Sequence, residues 1–542
     1  MTNFTTRNTF LIPSFDLDIK EREKIDRFLY ILEKSNVAEL FNNICYTSKG
    51  GRPAYSDYDL FATVLYGFAF NNPTLRNLED ACKYDLRYIY MMQQNRPGHS
   101  IFGNFINEVI VPNNDLIFHN VTNAILQECN IQIEDVFIDG SKYEADANKY
   151  KFVWKQTKFH EKLSNKIRTL LSEVNLSDNV PHIGIIDSKL IAQKVSRLSL
   201  ILDNDNYLKD KYDELCQYLI KALEYEEKER ICGPDRNSYY KTDHDATAMT
   251  LKSDYYSGLG SNMHAAYNSQ LLVAKGIICT YYISQSRSDM NDFIPILKRF
   301  NEYYGYYPIR VCADAGYGCL DNYRFLNDNN IENYVKHNSF QGNVSGSNPD
   351  RYYLNEDGTL TCLNGNTGFK VDISNRHPSK SGSYFYKVEG CNECPFSIYC
   401  KRYMKNKNDN YRIFEVQEEL CFYKQKALDN LLSPKGIEMR VNRSSQVEGA
   451  IGVIKQDMNY VRNRRTLIDK VKTEHMLTYL GYNIRKLFRY FSGKAKFNYW
   501  IAPDNLKAEL KRKPSAKRLA NKVNTQKKKT NNQKAKDSYK YK

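Results

Sequence analysis

Through the first quarter of the chain the apolar positions keep a helical spacing. "DYDLFATVLYGFAF" (57–70) is apolar almost throughout and predicts a core helix. In "TLRNLEDACKYDLRYIYMMQ" (74–93), Leu75, Leu78 and Cys82 recur at i, i+3 and i+7, which predicts a second helix with Tyr84, Asp85 and Arg87 adding surface. Pro97-Gly98 breaks the chain before "SIFGNFINEVI" (100–110), a third short helix that Ser100 could cap. Short helices with compact turns suit a helix-turn-helix DNA-binding unit, and suit any small helical bundle equally well.

Strand signal begins with "DVFIDG" (135–140). A helical stretch comes next, with one stripe at Leu163, Ile167, Leu170, Leu171 and Val174 and another at Val195, Leu198 and Leu202. Residues 205–230 are dominated by charge, so this region reads as a helical insertion. Strands return at "AAYNSQLLVA" (265–274) and "GIICTYYISQS" (276–286), followed by a helix at 289–305, a strand "PIRVCADAGYG" (308–318), a short helix and the strand "IENYVKH" (331–337). Neighbouring strands and then helix-strand-helix-strand is a mixed α/β order, the layout of an RNase H-like core and of some other folds.

At 542 residues the chain is too long for one ordinary domain, and its 42% hydrophobic content allows sizeable cores. No stretch approaches the roughly 18–20 apolar residues of a membrane span. The first residues lack a basic segment followed by an apolar one, so a secretory signal is not expected. The expectation is a cytoplasmic protein, with its 13 cysteines reduced and serving as core residues or metal ligands. The net charge of +15 is concentrated in 507–542, where 14 Lys/Arg against Glu509 and Asp537 leave +12. Such a tail is expected to be disordered when free and to bind a polyanion such as the DNA backbone; a plain solubility tail is the alternative.

Two strands end in a carboxylate. Asp139 follows Val136, Phe137 and Ile138, and Asp314 follows Val311, Cys312 and Ala313. Alone, Asp139-Gly140 reads as a turn. On adjacent strands the two carboxylates would repel and would need a cation between them, and oxygen ligands of this kind suit Mg²⁺ or Mn²⁺. A third acid lies in "RVNRSSQVEGAIGVIKQDMNYVRNRR" (440–465), where Val447, Ala450, Ile451, Ile454 and Met458 form one helical stripe. Glu448 and Lys455, seven residues apart, fall about 20° from each other around the axis. The plain alternative is an exposed Glu–Lys face.

"IDGSKYEADANKY", "ADAGYG" and "RSSQVEGAIGVIK" together resemble the DDE transposases of bacterial insertion sequences, in the branch whose third acid lies in a Tyr-Arg-Glu-Lys motif. "KTDHDATAM" (241–249), "HAAYNSQLLVA" (264–274) and "LRNLED" resemble further parts of that family, so the likeness extends over most of the chain. Val441 stands at the family's Tyr position, Ser444 at its Arg position and His244 where relatives often carry Pro. The resemblance implies a catalytic triad of Asp139, Asp314 and Glu448 holding Mg²⁺ (or Mn²⁺), with Lys455, Arg443 and Arg440 on DNA. It implies double-stranded DNA partners (the element's terminal inverted repeats and a target), a homodimer on paired ends, no membrane, and nucleoid-associated work in a bacterial cytoplasm. A nuclease that does not join ends and a decayed, DNA-binding relative are the alternatives.

Cys362, Cys391, Cys394 and Cys400 are spaced C-x₂₈-C-x₂-C-x₅-C, which can supply the four thiolates of a structural zinc; four unrelated cysteines is the plain alternative. Residues around them are rich in Gly, Asn, Ser and Lys, so little core is expected there and the metal would supply folding energy. The expected organisation is α/β: an N-terminal helical, DNA-binding domain (1–125), an RNase H-like core of a mixed sheet flanked by helices (130–150, 240–338 and 411–500), a helical insertion (151–239), a zinc-binding insertion (339–410) and a disordered basic tail (501–542).

Overall fold

The computed structural model describes residues 19–42, 55–70, 74–202, 205–234, 236–251, 263–345, 349–373, 377–404, 406–494, 497 and 499–506; the expected tail lies outside the described residues from 507 onward. The helix Asp57–Phe70 forms as its apolar run predicts and is buried along most of its length. The stretch 74–93 forms two helices rather than one, Leu75–Tyr84 and Leu86–Met91. Asp85 is extended between them, and its side chain accepts from the Arg87 N–H at 3.0 Å, capping the second helix. Asp favours such a cap over a helix interior. The third helix starts at His99, with Gly98 rather than Ser100 at the cap. It does not stop at 110 but runs through a widened π turn, Ile106–Ile110, into Val111–Glu128. The widened turn accommodates Pro112, which has no N–H for the regular ladder.

The strands are β1 (Asp135–Glu144), β2 (Phe152–Trp154), β3 (Ser238–Tyr240), β4 (Thr247–Thr250), β5 (Met263–Ala274), β6 (Ile277–Ser284), β7 (Arg310–Ala313), β8 (Glu332–Val335), β9 (Tyr352–Leu354), β10 (Leu360–Cys362), β11 (Thr367–Val371), β12 (Ser383–Glu389) and β13 (Tyr411–Gln417). The principal sheet runs β4-β5-β1-β7-β8, with β6 also on β5. β5 is antiparallel to β1, β4 and β6, while β1, β7 and β8 are parallel. Helices cover the sheet, so Val136, Phe137 and Ile138 are all buried and read as an unbroken apolar run.

Against this sheet packs Ile468–Phe491, a helix buried nearly all round that also meets Asp57–Phe70 and Val111–Glu128. Gly481 allows the closest approach: a Cβ there would lie 3.0 Å from the backbone of Phe68 and Ala69. One hydrophobic core therefore runs from the N-terminal helices through the sheet. The motif "KTDHDATAM" ties down the start of this long helix. Buried Asp243 accepts from the Tyr267 hydroxyl (2.8 Å) and the Leu467 N–H (3.2 Å), and Asp245 from the Ile468 N–H (2.9 Å).

The insertion after β2 is helical as expected: Thr157–Glu173, Ser188–Ser199 and Asn206–Cys232 enclose a core of Leu163, Ile167, Leu171, Ile191, Leu198 and Leu215. The cysteine-bearing segment departs from expectation. β13-β12-β11-β10-β9 form an antiparallel sheet over Leu360, Tyr386, Val388, Phe414 and Val416, so the segment does have a core. Short alternating strands such as "SYFYKVE" are hidden by the Gly and Asn between them.

Candidate active site

Strand register builds the site. β1 and β7 pair in parallel up to Ile138↔Ala313, and β7 and β8 up to Ala313↔Val335. The next residues are Asp139, Asp314 and Lys336, which follow these pairs on three neighbouring strand paths about 4.8 Å apart. Asp139 does not end its strand, as the turn reading had it: β1 continues to Glu144 along β5, with Asp139 opposite Leu271 and Gly140 opposite Gln270. Gly140 is needed for close approach, because a Cβ there would lie 2.5 Å from Gln270 Nε2 and 2.7 Å from Asp289 Oδ1.

Glu448 comes from the other side. Its helix is not regular: Pro434–Arg443 passes into a π turn (Ser444–Glu448), one α turn (Gly449–Gly452) and a second π turn (Val453–Asp457). Val447, Ala450, Ile454 and Met458 are buried as the stripe predicts. The widened turns break the even spacing that put Glu448 and Lys455 on one line. Glu448 receives Arg443 Nη2 at 2.5 Å and the Ser444 hydroxyl at 2.8 Å. Lys455 reaches β1, where its ammonium donates to the Lys142 carbonyl (3.1 Å) and lies 4.7 Å from the Tyr143 ring centre.

Arg443 joins the two sides. Its buried guanidinium donates to Asp139 Oδ2 at 3.2 Å while holding Glu448. Burial works against its charge, but Asp139, Glu448 and Asp314 together outweigh that and raise its pKa. Burial also pushes the Asp139 carboxyl up, against the pull of Arg443 and the Gly140 N–H, and the charges of Glu448 and Asp314 push the same way. Asp314 is also partly buried, which would raise it, yet the Ala315 N–H, Arg443 and Lys336 (Nζ at 3.5 Å) hold it below the usual carboxylate range. Asp139 and Asp314 open onto a cleft of about 580 Å³ that Lys142, Asn268, Asp289 and Lys455 also line.

Two transposase families match this chain. Residues 361–488 match the family described as "Transposase DDE domain", and residues 14–108 match "Transposase domain (DUF772)". Over these two spans the chain is similar to transposases, and over the first to their DDE domain. Glu448, Lys455 and Arg443 fall inside the first matched span, while Asp139 and Asp314 lie outside both. No curated protein matches the chain. Among the described residues, no helix is long and apolar enough to cross a membrane.

Some expected residues are placed elsewhere. Arg440, like Arg443 and Glu448, is not among the residues lining the cleft; its guanidinium lies 5.3 Å from the Phe340 ring centre and donates to the Gly436 carbonyl. Among the described residues no three His, Cys, Asp or Glu side chains are set as a metal cluster. Cys391 and Cys400 are nonetheless close enough to Cys394 and Cys362 to feel their charge; burial raises both thiols, that of Cys400 to about 11, and the neighbouring sulfurs add to this. Lys336 and Asp289 were not singled out from the sequence. Lys336 directly follows an apolar strand, as the two Asp residues do, but only register shows that it stands beside Asp314. Asp289 is held by the amides of Asn268 (2.8 Å) and Gln270 (2.9 Å) on β5, and no local pattern marks that contact.

Proposed function

We propose that this protein is a DDE transposase that cleaves DNA at the ends of its insertion sequence and joins those ends to target DNA, using Asp139, Asp314 and Glu448 on an RNase H-like core. The observation that carries this is the register that sets Asp139 beside Asp314, with Arg443 tying Asp139 to Glu448. The sheet order β6-β5-β1-β7-β8, antiparallel up to β1 and parallel beyond it, supports the RNase H-like reading.

The donor set is all oxygen, the class that suits Mg²⁺ or Mn²⁺; Arg443 is paired to both Asp139 and Glu448 and would have to release them for such an ion to bind between them. Bound there, such ions supply activation of a water or 3′-hydroxyl and stabilisation of the leaving oxygen. The chain's own residues do the positioning. Lys455, fixed to β1 at the cleft wall, holds a phosphate next to the scissile bond, and Arg443 offsets the charge of the acids. The Ala315 N–H, Arg443 and Lys336 together favour the ionised form of Asp314. Arg440, whose guanidinium lies 5.3 Å from the Phe340 ring centre, would meet DNA only outside the cleft lining.

The N-terminal helices (1–125) would read the element's terminal repeats, two chains would pair the two ends, and the 507–542 tail would neutralise phosphates without reading sequence. Cys362, Cys391, Cys394 and Cys400 would hold one structural Zn²⁺ at the end of the small sheet. The deciding experiment offers pre-cut, labelled duplexes carrying the DNA that flanks the gene, together with a plasmid and Mg²⁺. Label joined to plasmid is the expected result. Hydrolysis without joining would make the protein a nuclease, and binding without either reaction a decayed relative.

A further inference from the structure

Directly after β1 in the chain comes a surface that the catalytic reading leaves unused. "KYKFVWKQTKF" (149–159) follows β1 closely, and Phe152 comes within eight residues of Glu144, which lines the cleft. Its rings stand in solvent: Tyr150 is 79% exposed, Phe152 45%, Trp154 56% and Phe159 58%. Phe152 and Trp154 alternate along β2 and so share one face, with ring centres 5.5 Å apart, edge to face. Lys149 lies 5.4 Å from the Tyr150 ring centre and Lys162 lies 5.7 Å from that of Phe159. Between 146 and 166 six lysines oppose only Asp146 and Glu161, a net of +4, and Asp146 is already paired with Arg462 at 2.9 Å.

An exposed apolar surface of this kind needs a partner that is flat and apolar in places and anionic overall. Unpaired nucleotides meet both demands, because bases stack on rings whatever their identity and the linking phosphates pair with lysines. A closed duplex offers phosphates and groove edges but no free base faces, since its bases are stacked on each other. We infer that Phe152, Trp154 and Phe159 form a stacking platform for unpaired nucleotides of a DNA strand at the cleft, with the surrounding lysines on its backbone. This rests on the reading of the chain as a DNA-cleaving transposase.

The chain has 2 Trp, Trp154 and Trp500, so the full-length Trp500→Phe variant reports Trp154 alone. It is titrated with a thymidine oligonucleotide of about 12 nucleotides, within the usual range of single-strand sites, and with a blunt duplex of equal length. Indole emission is expected to fall with the oligonucleotide and to stay nearly constant with the duplex. Trp154→Ala is expected to weaken oligonucleotide binding about tenfold, with Trp154→Phe restoring most of it and duplex binding unchanged in both. Equal quenching by the duplex would make the patch a duplex contact and overturn the platform. So would a blue shift that depends on protein concentration without DNA, which would mark the face as covered by a second copy. Duplex binding with no quenching by the oligonucleotide would contradict the platform alone, whereas failure to bind either DNA would contradict the transposase reading beneath it.

Discussion

Asp139 and Asp314 were legible as residues because a carboxylate at the end of an apolar run is out of place unless something fixes it there. The part played by the glycine next to Asp139 was not legible. Gly140 reads as a turn in the sequence, yet it lies inside β1 and makes room for Gln270 and Asp289. Gly140→Ala should therefore destabilise the fold by about 1–3 kcal/mol, the usual cost of forcing a methyl into a filled space. Thermal unfolding of the variant is the check, and a wild-type midpoint would show that Gln270 and Asp289 move aside freely. Asp292 was also missed, since its buried carboxylate accepts from Ser284 on β6 (2.6 Å) and Asn268 on β5 (3.3 Å), contacts that no local pattern marks. Burial pushes its carboxyl up to about 6, and Asp289 adds to the shift. The folded chain thus keeps a proton there that the unfolded chain releases near pH 4, so stability falls as pH rises from about 4 to 6 and stays lower above that. Asp292→Asn removes the titration. The variant should gain up to about 3 kcal/mol over wild type at pH 8 relative to the same comparison at pH 3.5. Urea unfolding at both pH values measures this; an identical difference at the two would contradict a buried, proton-holding Asp292.

At the scale of elements, long apolar runs were readable and interruptions were not. The helices Asp57–Phe70 and Thr157–Glu173 form where their apolar positions put them, because burial of those positions decides their formation, whereas Ser188–Ser199 stops short of Leu202 and Asn206–Cys232 forms where charge dominates the sequence. The break at Asp85 and the π turns at 444–448 and 453–457 depend on caps and tertiary contacts that a 3.6-residue repeat does not encode. The cysteine-bearing segment shows the opposite error. Its Gly- and Asn-rich composition suggested a region folded by metal, whereas β9–β13 enclose Leu360, Tyr386, Val388 and Phe414. That changes what zinc should do. About one Zn²⁺ per chain is expected, and the Cys391→Ser/Cys394→Ser double variant should lose it. Proteolysis should then open the loop around 391–410 and leave the strands protected. Full zinc content in the double variant would place the ligands elsewhere, and loss of the whole sheet would return the folding energy to the metal.

On the scale of the whole molecule, mixed α/β order was visible in the succession of strands and helices, but the single core was not. The N-terminal helices, the sheet and the helix Ile468–Phe491 share one apolar interior through contacts hundreds of residues apart, which no local window contains. The same long-range packing assembles the site: Asp139 and Asp314 arrive on the sheet, while Arg443 brings Glu448 across from a segment about 300 residues later than Asp139. If these three carboxylates form one metal-dependent centre, removing any one should abolish the chemistry while leaving DNA affinity in place. The most direct measurement is Mg²⁺-dependent cleavage of labelled duplexes carrying the DNA that flanks the gene. It compares wild type with Asp139→Ala, Asp314→Ala and Glu448→Ala, with binding of the same duplexes recorded in parallel. Each variant should bind within about threefold of wild type and cleave at least about 100-fold more slowly, the scale of losing a transition-state charge partner. Cleavage near the wild-type rate by any of the three would remove that residue from the centre and contradict a single site built by the sheet and the Glu448 helix.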